Sequence, residues 1–361
     1  MKNILMTLYG PLETDARVLR SIDAALAAGC NVTIITCNTT KAFLKDKTYK
    51  IINMPYEALG ALNYMRFCKD CLKWYLELKK DIDVIYLHDY YSTAIGNILK
   101  PFAGKRSMVY DAHELILLTS GQKTCSRDKF FIWAERKLLN KVKLIIEANK
   151  ERENIFRERY GVQHTTYVLN VSKFHAVEPR TYDPNNKVIV YQGKLTEERN
   201  LSFFIKAMKF LPEVKLLMIG GGHDLPIYQK MVEEYGLQHQ VSFTGRLSNE
   251  DMMEKMKSCS IGIISYPFSN LNNIYCSPNK IFEYAAISLP FIATAQPFIK
   301  EVQDTYHIGR TFEYGNIESF KDNIEAIFED YKSYNRNSAK FIDDYSFDKE
   351  FAKMVEIFEK I

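Results

Sequence analysis

Val188-Ile189-Val190-Tyr191-Gln192-Gly193-Lys194-Leu195-Thr196-Glu197-Glu198-Arg199-Asn200 is the stretch on which the reading of this chain turns. Its first four residues are β-branched or aromatic and read as a buried strand. Gly193 permits a close turn, and a polar loop then leads into a segment of helical spacing at 201–210. An apolar strand followed at once by a helix is half of a βαβ unit, so the sheet it belongs to is expected to be parallel.

The alternation continues outward in both directions. Residues 188–191, 214–219, 241–243, 261–265 and 291–293 read as strands, with helical spacing at 201–210, 226–235, 250–258 and 280–287. Toward the N-terminus, strands are expected at 3–8, 31–36, 84–87, 108–110 and 144–147. Helices are expected there at 15–28, 63–79, 92–102 and 129–140. Asp15 and Ser92 read as N-caps and Gly29 as a helix stop. The 361 residues suit about two domains. A polar, Pro-containing stretch at 178–187 separates the two strand series. We therefore expect two Rossmann-like doubly wound α/β domains, 1–175 and 176–340, facing across a cleft. Ligands of such sheets bind at the carboxyl ends of the strands.

Composition removes several alternatives. Apolar residues make up 47% and charged residues 25%, which excludes a mostly disordered chain and a collagen-like fibre. The longest uncharged run, 259–279, holds Pro267, Pro278 and four asparagines and does not read as a transmembrane helix. The first residues reach Gly10, Pro11 and Glu13 too early for a signal-peptide core. Seven cysteines, with Cys68 and Cys71 the one close pair, suit reduced thiols in a cytoplasmic protein and no zinc site. Residues 1–180 hold 28 Lys and Arg against 19 Asp and Glu, and the remainder 20 against 25. That asymmetry points to different partners for the two halves. The basic residues form no recognised nucleic-acid-binding motif, so no nucleic-acid partner is expected.

Several strand ends carry residues suited to chemistry. Lys194 and Arg199 stand five apart after the first strand of the second series, where two cations suit a diphosphate; a solvated turn accounts for them as well. Gly220, Gly221 and Gly222 follow the next strand and allow either a ligand or a plain tight turn. Leu225 lacks the glycine that a dinucleotide fingerprint needs. In Cys276-Ser277-Pro278-Asn279-Lys280, a capped helix start would offer free N–H groups to a phosphate, with Glu283 placed for ribose hydroxyls. A Lys280–Glu283 pair at i,i+3 spacing is the alternative. In the first half, Tyr110-Asp111-Ala112-His113-Glu114 ends a strand, and His113 suits sugar binding or acid/base work. His88-Asp89 is a weaker candidate of the same kind. Asp81-Ile82-Asp83 precedes its strand and reads as capping. Residues 127–143, around Trp133, mix basic and aromatic side chains in the manner of a helix at an anionic membrane surface or of an ordinary surface helix.

These sites stand in the order and spacing of glycosyltransferase family 4, and the chain resembles those retaining GT-B enzymes of the bacterial cell-surface polysaccharide type along nearly its whole length. Gly193-Lys194-Leu195 with Arg199 is similar to the family's diphosphate loop, with Lys and Arg exchanged at both cations. Thr244-Gly245-Arg246 resembles the segment that meets the nucleotide base. Ser277-Pro278-Asn279-Lys280 with Glu283 resembles the donor-binding helix, and the segment bearing His113 resembles that of the active-site histidine. Tyr275 stands where the family often has a first glutamate. Tyr9-Gly10-Pro11 is all that is left of a glycine-rich loop, with Gly10 still able to pass an N–H near the diphosphate.

The resemblance implies a retaining transferase of polysaccharide biosynthesis, with a helix in 341–361 crossing back to the first domain. It implies a nucleotide-sugar donor, a saccharide or polyprenyl-diphosphate-linked acceptor, and no metal or other cofactor. His113, Lys194 and Arg199 would be catalytic, and Gly10, Gly193, Gly221, Gly222 and the donor residues named above would bind the donor. Peripheral contact with an anionic membrane at its cytoplasmic face follows from the basic first half. A nucleotide-sugar epimerase-like enzyme and a non-catalytic partner subunit are the alternatives.

Overall fold

Thirteen strands in two separate parallel sheets carry the described residues, which in this computed structural model are 1–45, 47–116, 125–173, 183 and 185–361. The first sheet contains β1 (Asn3–Thr7), β2 (Asn31–Cys37), β3 (Lys50–Met54), β4 (Val84–His88), β5 (Ser107–Asp111), β6 (Leu144–Glu147) and β7 (Thr165–Tyr167). Their order is β3-β2-β1-β4-β5-β6-β7. The second contains β8 (Val188–Gln192), β9 (Lys215–Ile219), β10 (Val241–Gly245), β11 (Ile261–Ile264), β12 (Phe291–Thr294) and β13 (Gly309–Phe312), in the order β10-β9-β8-β11-β12-β13. Strand order reverses between β1 and β4 and again between β8 and β11. Those two switch points are where an α/β sheet opens a ligand crevice at its carboxyl edge.

Three strands were not legible in the sequence: β3, β7 and β13. Each lies at an outer edge of its sheet, where one side of the strand meets no neighbour, and KIINM, TTY and GRTF carry too few apolar residues to stand out.

The chain divides into two compact units, Met1–Asn170 with Asp348–Ile361, and Val171–Phe347. The sequence-based boundary at 175/176 lies outside the described residues. Helices Tyr331–Arg336 and Ser338–Asp344 belong to the second unit, where the Phe341 ring stacks on Phe282 at 5.5 Å. The returning element is the helix Phe347–Lys360, shorter than the expected 341–361. It buries Met354 and Phe358 in the first core, with Phe358 stacked on Tyr86 at 5.2 Å. Each such side chain contributes about 1.5–3 kcal/mol. Buried Glu350 accepts the Leu169 N–H at 2.8 Å, which ties this helix to the last residues before the chain leaves the unit. No helix among the described residues is long and apolar enough to cross a membrane.

Local chemistry fixes the elements that matter for the sites. Asp15 caps the helix Ala16–Ala27 by accepting from the Arg17 and Val18 N–H groups, and Gly29 follows the helix at φ +74°. Ser92 is not a cap. The helix Tyr91–Ala103 starts one residue earlier, and the Ser92 hydroxyl bonds to Thr7 on β1 instead. Asp83 does serve a capping role, taking the Asn3 N–H at the start of β1.

In the second unit, helix Asn279–Ala286 packs under β11 because Gly262 has no side chain. A Cβ there would lie 2.4 Å from the Tyr284 ring, whose hydroxyl donates to the Ile263 carbonyl. That close approach sets where Lys280 and Glu283, on the same helix, present themselves. Gly262→Ala is therefore expected to lower unfolding stability in urea by about 2–3 kcal/mol. Gly60→Ala, at a position with no atom within 4 Å, should change it by less than about 0.5 kcal/mol.

Candidate functional site

At the carboxyl edge of the second sheet, the loops after β8, β9 and β10 are laced together through their backbones. The Gly193 N–H bonds the Ile219 carbonyl, the Leu195 N–H the Gly221 carbonyl, and the Gly220 N–H the Gly245 carbonyl. This explains the three glycines more directly than a ligand does. A Cβ at Gly220 would sit 1.8 Å from the Gly193 oxygen, and one at Gly222 would sit 2.0 Å from the Leu195 oxygen. Gly221 leaves room for the exposed Arg246 side chain, which a Cβ there would approach to 3.1 Å. Thr244 spends its hydroxyl on the Gly245 carbonyl.

Arg199 ends a short 3-10 turn whose first N–H, from Glu197, is held by the buried Asp224 carboxylate at 2.7 Å. The Arg199 carbonyl accepts from Ser265, and its guanidinium lies 4.3 Å from the centre of the Tyr266 ring. Tyr266 is itself fixed by Thr294 and Gln296 at the end of β12. The Lys280 ammonium stands 5.6 Å from the same ring and 5.5 Å from Tyr191, against Gly193. Lys194 is exposed. None of these three cations has an ion pair among the described residues. The alternative, a Lys280–Glu283 pair, is not formed, and Gln192 donates to the Glu283 carboxylate. Burial pushes the Glu283 pKa up, against the charge of Lys280 and that hydrogen bond. Pro278 occupies the N-cap of the helix, and no side chain caps it, so the capped start expected within 276–280 is a backbone start at Asn279.

In the first unit His113 follows β5 and lies in a network centred on Asp111. Arg17 donates to one Asp111 oxygen at 2.7 and 2.9 Å, and Tyr86 donates to the other at 3.2 Å. His113 places Nδ1 3.4 Å from Asp15 and Nε2 3.7 Å from Asp111, and Arg152 holds its carbonyl. Burial lowers the His113 pKa, but hydrogen bonds and charge from Asp111 and Asp15 outweigh it and lift the imidazole to about 10. Burial acts upward on Asp15, yet His113 and the Val18 N–H bring it to about 2. Burial, helped by the charge of His113, depresses His88 against the pull of Asp111, and its Nδ1 is 3.3 Å from His113 Nε2. Asp89 sits at φ +61°, and burial raises its carboxyl to about 7. Gly10 follows β1 with its carbonyl taken by Thr36 and Cys37, and the space a side chain would fill above it is open.

His88, Asp111 and His113 are the one group of described residues that could hold a metal ion, with ligand atoms within 4.8 Å of one another. Two positive charges already face Asp111, the Arg17 guanidinium and the His113 imidazolium, and both oppose a third cation there.

The structure thus gathers Gly193, Arg199, Lys280 and Glu283 in the second unit, and sets His113 and Gly10 on the first sheet's carboxyl edge. Sequence reasoning missed Tyr191, Tyr266 and Asp224, whose roles depend on contacts between strand ends. It also missed Arg17, although an arginine on the apolar face of the helix Ala16–Ala27 was a readable signal.

Residues 176–341 match the family described as Glycosyl transferases group 1. An uncharacterised glycosyltransferase of Methanocaldococcus jannaschii is 23% identical over 216 residues, 50% of this chain and 51% of that protein, so the match spans about half the length of the relative. Sucrose-phosphate synthase of Thermosynechococcus elongatus superposes with a TM-score of 0.80 at 15% identity, over 100% of this chain and 99% of the other. Anabaena HepE in complex with UDP-glucose gives 0.76 at 16% identity, over 100% of both chains. The fold is that of the GT-B class, with two Rossmann-like domains. The family match lies within the second unit and covers less than half of the chain, and the solved structures share its fold.

Asp15→Asn tests the histidine network, since asparagine keeps the helix cap. Raised His113 adds stability that is complete below its ordinary value of about 6.5 and is lost as pH climbs through about 10. Lowered Asp15 adds stability present above its ordinary value of about 3.9 and lost as pH falls through about 2. The deficit of the variant in urea unfolding should be largest between those ordinary values and shrink toward pH 10. Its His113 ring protons should titrate at lower pH by NMR. An unmoved titration would show that Asp15 does not act on His113.

Proposed function

We propose that the protein is a retaining glycosyltransferase that moves a sugar from a nucleoside-diphosphate donor to a hydroxyl of a saccharide or polyprenyl-diphosphate-linked saccharide, with protein cations in place of a metal ion. The observation that carries this reading is the pair of unneutralised cations, Arg199 and Lys280, held against Tyr266 at the switch point of the second sheet. An anion is the natural occupant of such a place. The neighbour HepE is recorded with UDP and with UDP-glucose, which supports a nucleoside diphosphate as that anion.

The chemistry follows from charge. When the anomeric C–O bond breaks, its electron pair goes to the departing diphosphate and oxocarbenium character builds on the sugar. Lys194, Arg199, Lys280 and the N–H groups at the start of the helix Asn279–Ala286 stabilise the departing anion. The acceptor oxygen bonds to the anomeric carbon from the same face, and its proton goes to the departing phosphate oxygen. Glu283 accepts from ribose hydroxyls, and the loop Thr244-Gly245-Arg246 meets the base. His113 positions the transferred sugar, as the resemblance assigns. The basic first unit takes the acceptor at the cytoplasmic face of an anionic membrane.

A thermal-shift panel of nucleotide sugars should show one base stabilising the fold in proportion to occupancy. With that donor, Lys194→Ala and Arg199→Ala should each lower kcat by about 10²–10³. Normal turnover by both would sink the assignment of the cations. Conversion of the donor to another nucleotide sugar without any acceptor would make the protein an epimerase instead.

A further inference from the structure

The helix Ala61–Leu78 is apolar on two sides. Its inner side buries Tyr64, Phe67, Cys68, Cys71 and Tyr75 in the first unit. Its outer side carries a second series, Leu62, Met65, Lys69, Leu72 and Leu76, at alternating spacings of three and four residues. Those spacings set the five side chains in one stripe, and they are the spacings with which one helix packs along another. Leu62 is 71%, Met65 60% and Leu76 39% exposed. A helix that only covers a sheet needs one apolar face, whereas a helix apolar on both sides is one that is buried on both.

The surface beside the stripe is apolar as well. The Tyr64 hydroxyl donates to the Tyr91 carbonyl and the Tyr75 hydroxyl to that of Phe102, which lays the helix Tyr91–Ala103 alongside. The Phe131 ring of the helix Ser126–Leu139 meets Tyr64 at 5.3 Å. Between them runs an open groove of about 920 Å³, with Met65, Leu72, Ile98 and Phe130 in its lining and no acid among the described lining residues. An 18-residue helix is about 27 Å long. Stripe and groove together offer roughly the 800 Å² that each partner gives to a stable interface.

Charge decides what covers this face. On the side of the stripe away from the groove stand Arg66, Asp70, Lys73 and Glu77, cation and acid in alternation at spacings of four and three. Arg66–Asp70 and Lys73–Glu77 have i,i+4 spacing, yet neither forms an ion pair. Arg66 donates to Asn63, and Asp70 accepts from the Tyr56 hydroxyl. When a second copy of the helix lies antiparallel to the first, one register sets Arg66 against the partner's Glu77 and Lys73 against the partner's Asp70. That register places Leu72 of both copies beside the two-fold axis and Met65 next to the partner's Leu76, so the stripes meet. Lys69, the one polar member of the stripe, weakens such a pairing but specifies its register. An anionic bilayer would instead meet Asp70 and Glu77 with like charge.

We infer that this face is the interface of a two-fold dimer, in which the helix Ala61–Leu78 of each copy lies antiparallel on the other, stripe on stripe, with Arg66–Glu77 and Lys73–Asp70 pairs along one rim. Such an interface is isologous and closes on itself.

Sedimentation equilibrium of the full chain across about 1–100 µM tests it, a range that covers dissociation constants near 10 µM. A monomer–dimer equilibrium is expected, with Met65→Glu and Leu76→Glu each weakening association about tenfold or more. Arg66→Glu and Glu77→Arg should each weaken it too, and the double variant that exchanges the two charges should recover most of the loss. Arg66 and Glu77 stand about 16 Å apart along their own helix, so that recovery can only act between copies. An unchanged far-ultraviolet circular dichroism spectrum shows that each variant is folded. A chain that stays monomeric at about 100 µM overturns the inference, as does a dimer that both apolar variants keep. A double charge variant no tighter than the single ones overturns it too, and so does a monomer that binds phosphatidylglycerol vesicles through Met65 and Leu76.

Discussion

Two like charges share one aromatic ring. Arg199 and Lys280 come from different segments and repel each other, yet Tyr266 draws both to its face and Tyr191 draws Lys280 from the other side. A ring attracts a cation through its quadrupole without neutralising it. A carboxylate in the same place would hold the cations equally well and cancel the field that an anionic ligand needs. The surrounding bonds serve this arrangement: Asp224 fixes the turn that ends in Arg199, and Gln296 fixes the segment that carries Tyr266. Gln192 occupies Glu283, which lies one turn from Lys280 on the same helix.

The first unit solves a different problem, that of keeping an imidazole charged in a buried place. Asp111 is fully buried, and the Arg17 charge holds its carboxyl well below the usual carboxylate range against the pull of desolvation. That carboxylate and Asp15 then hold His113 as the imidazolium. Asp15 does this with one oxygen while the other caps a helix, so helix geometry and imidazole charge are set by a single residue. An imidazolium suits contact with oxygen-rich ligands, since both of its nitrogens are donors.

Both units place chemistry on the carboxyl edge of a parallel sheet, and glycine decides how close the parts come. Gly220 and Gly222 let the loop after β8 lie on the loop after β9, and Gly262 lets the helix of Lys280 sink beneath β11. These glycines serve the packing of the site's own walls. The open space above Gly10 is the contrasting case, where nothing in the unit itself calls for a glycine.

Period and punctuation in the sequence determined the central strands, the helices between them and the parallel character of both sheets, because a buried parallel strand must be apolar throughout and its crossover must be helical. The order of residues around Lys194, Arg199, Lys280, Glu283 and His113 carried the resemblance on which the proposed donor rests. Tertiary structure alone decided the edge strands β3, β7 and β13, whose half-buried sequences carry little apolar signal. It alone decided that Ser92 ties two elements together and that Tyr266 gathers the cations. It alone revealed the cavity of about 920 Å³ between the helices Ala61–Leu78 and Ser126–Leu139, because its walls come from elements separated in sequence. Periodicity reports what a residue does within its own element, whereas these roles depend on which elements meet.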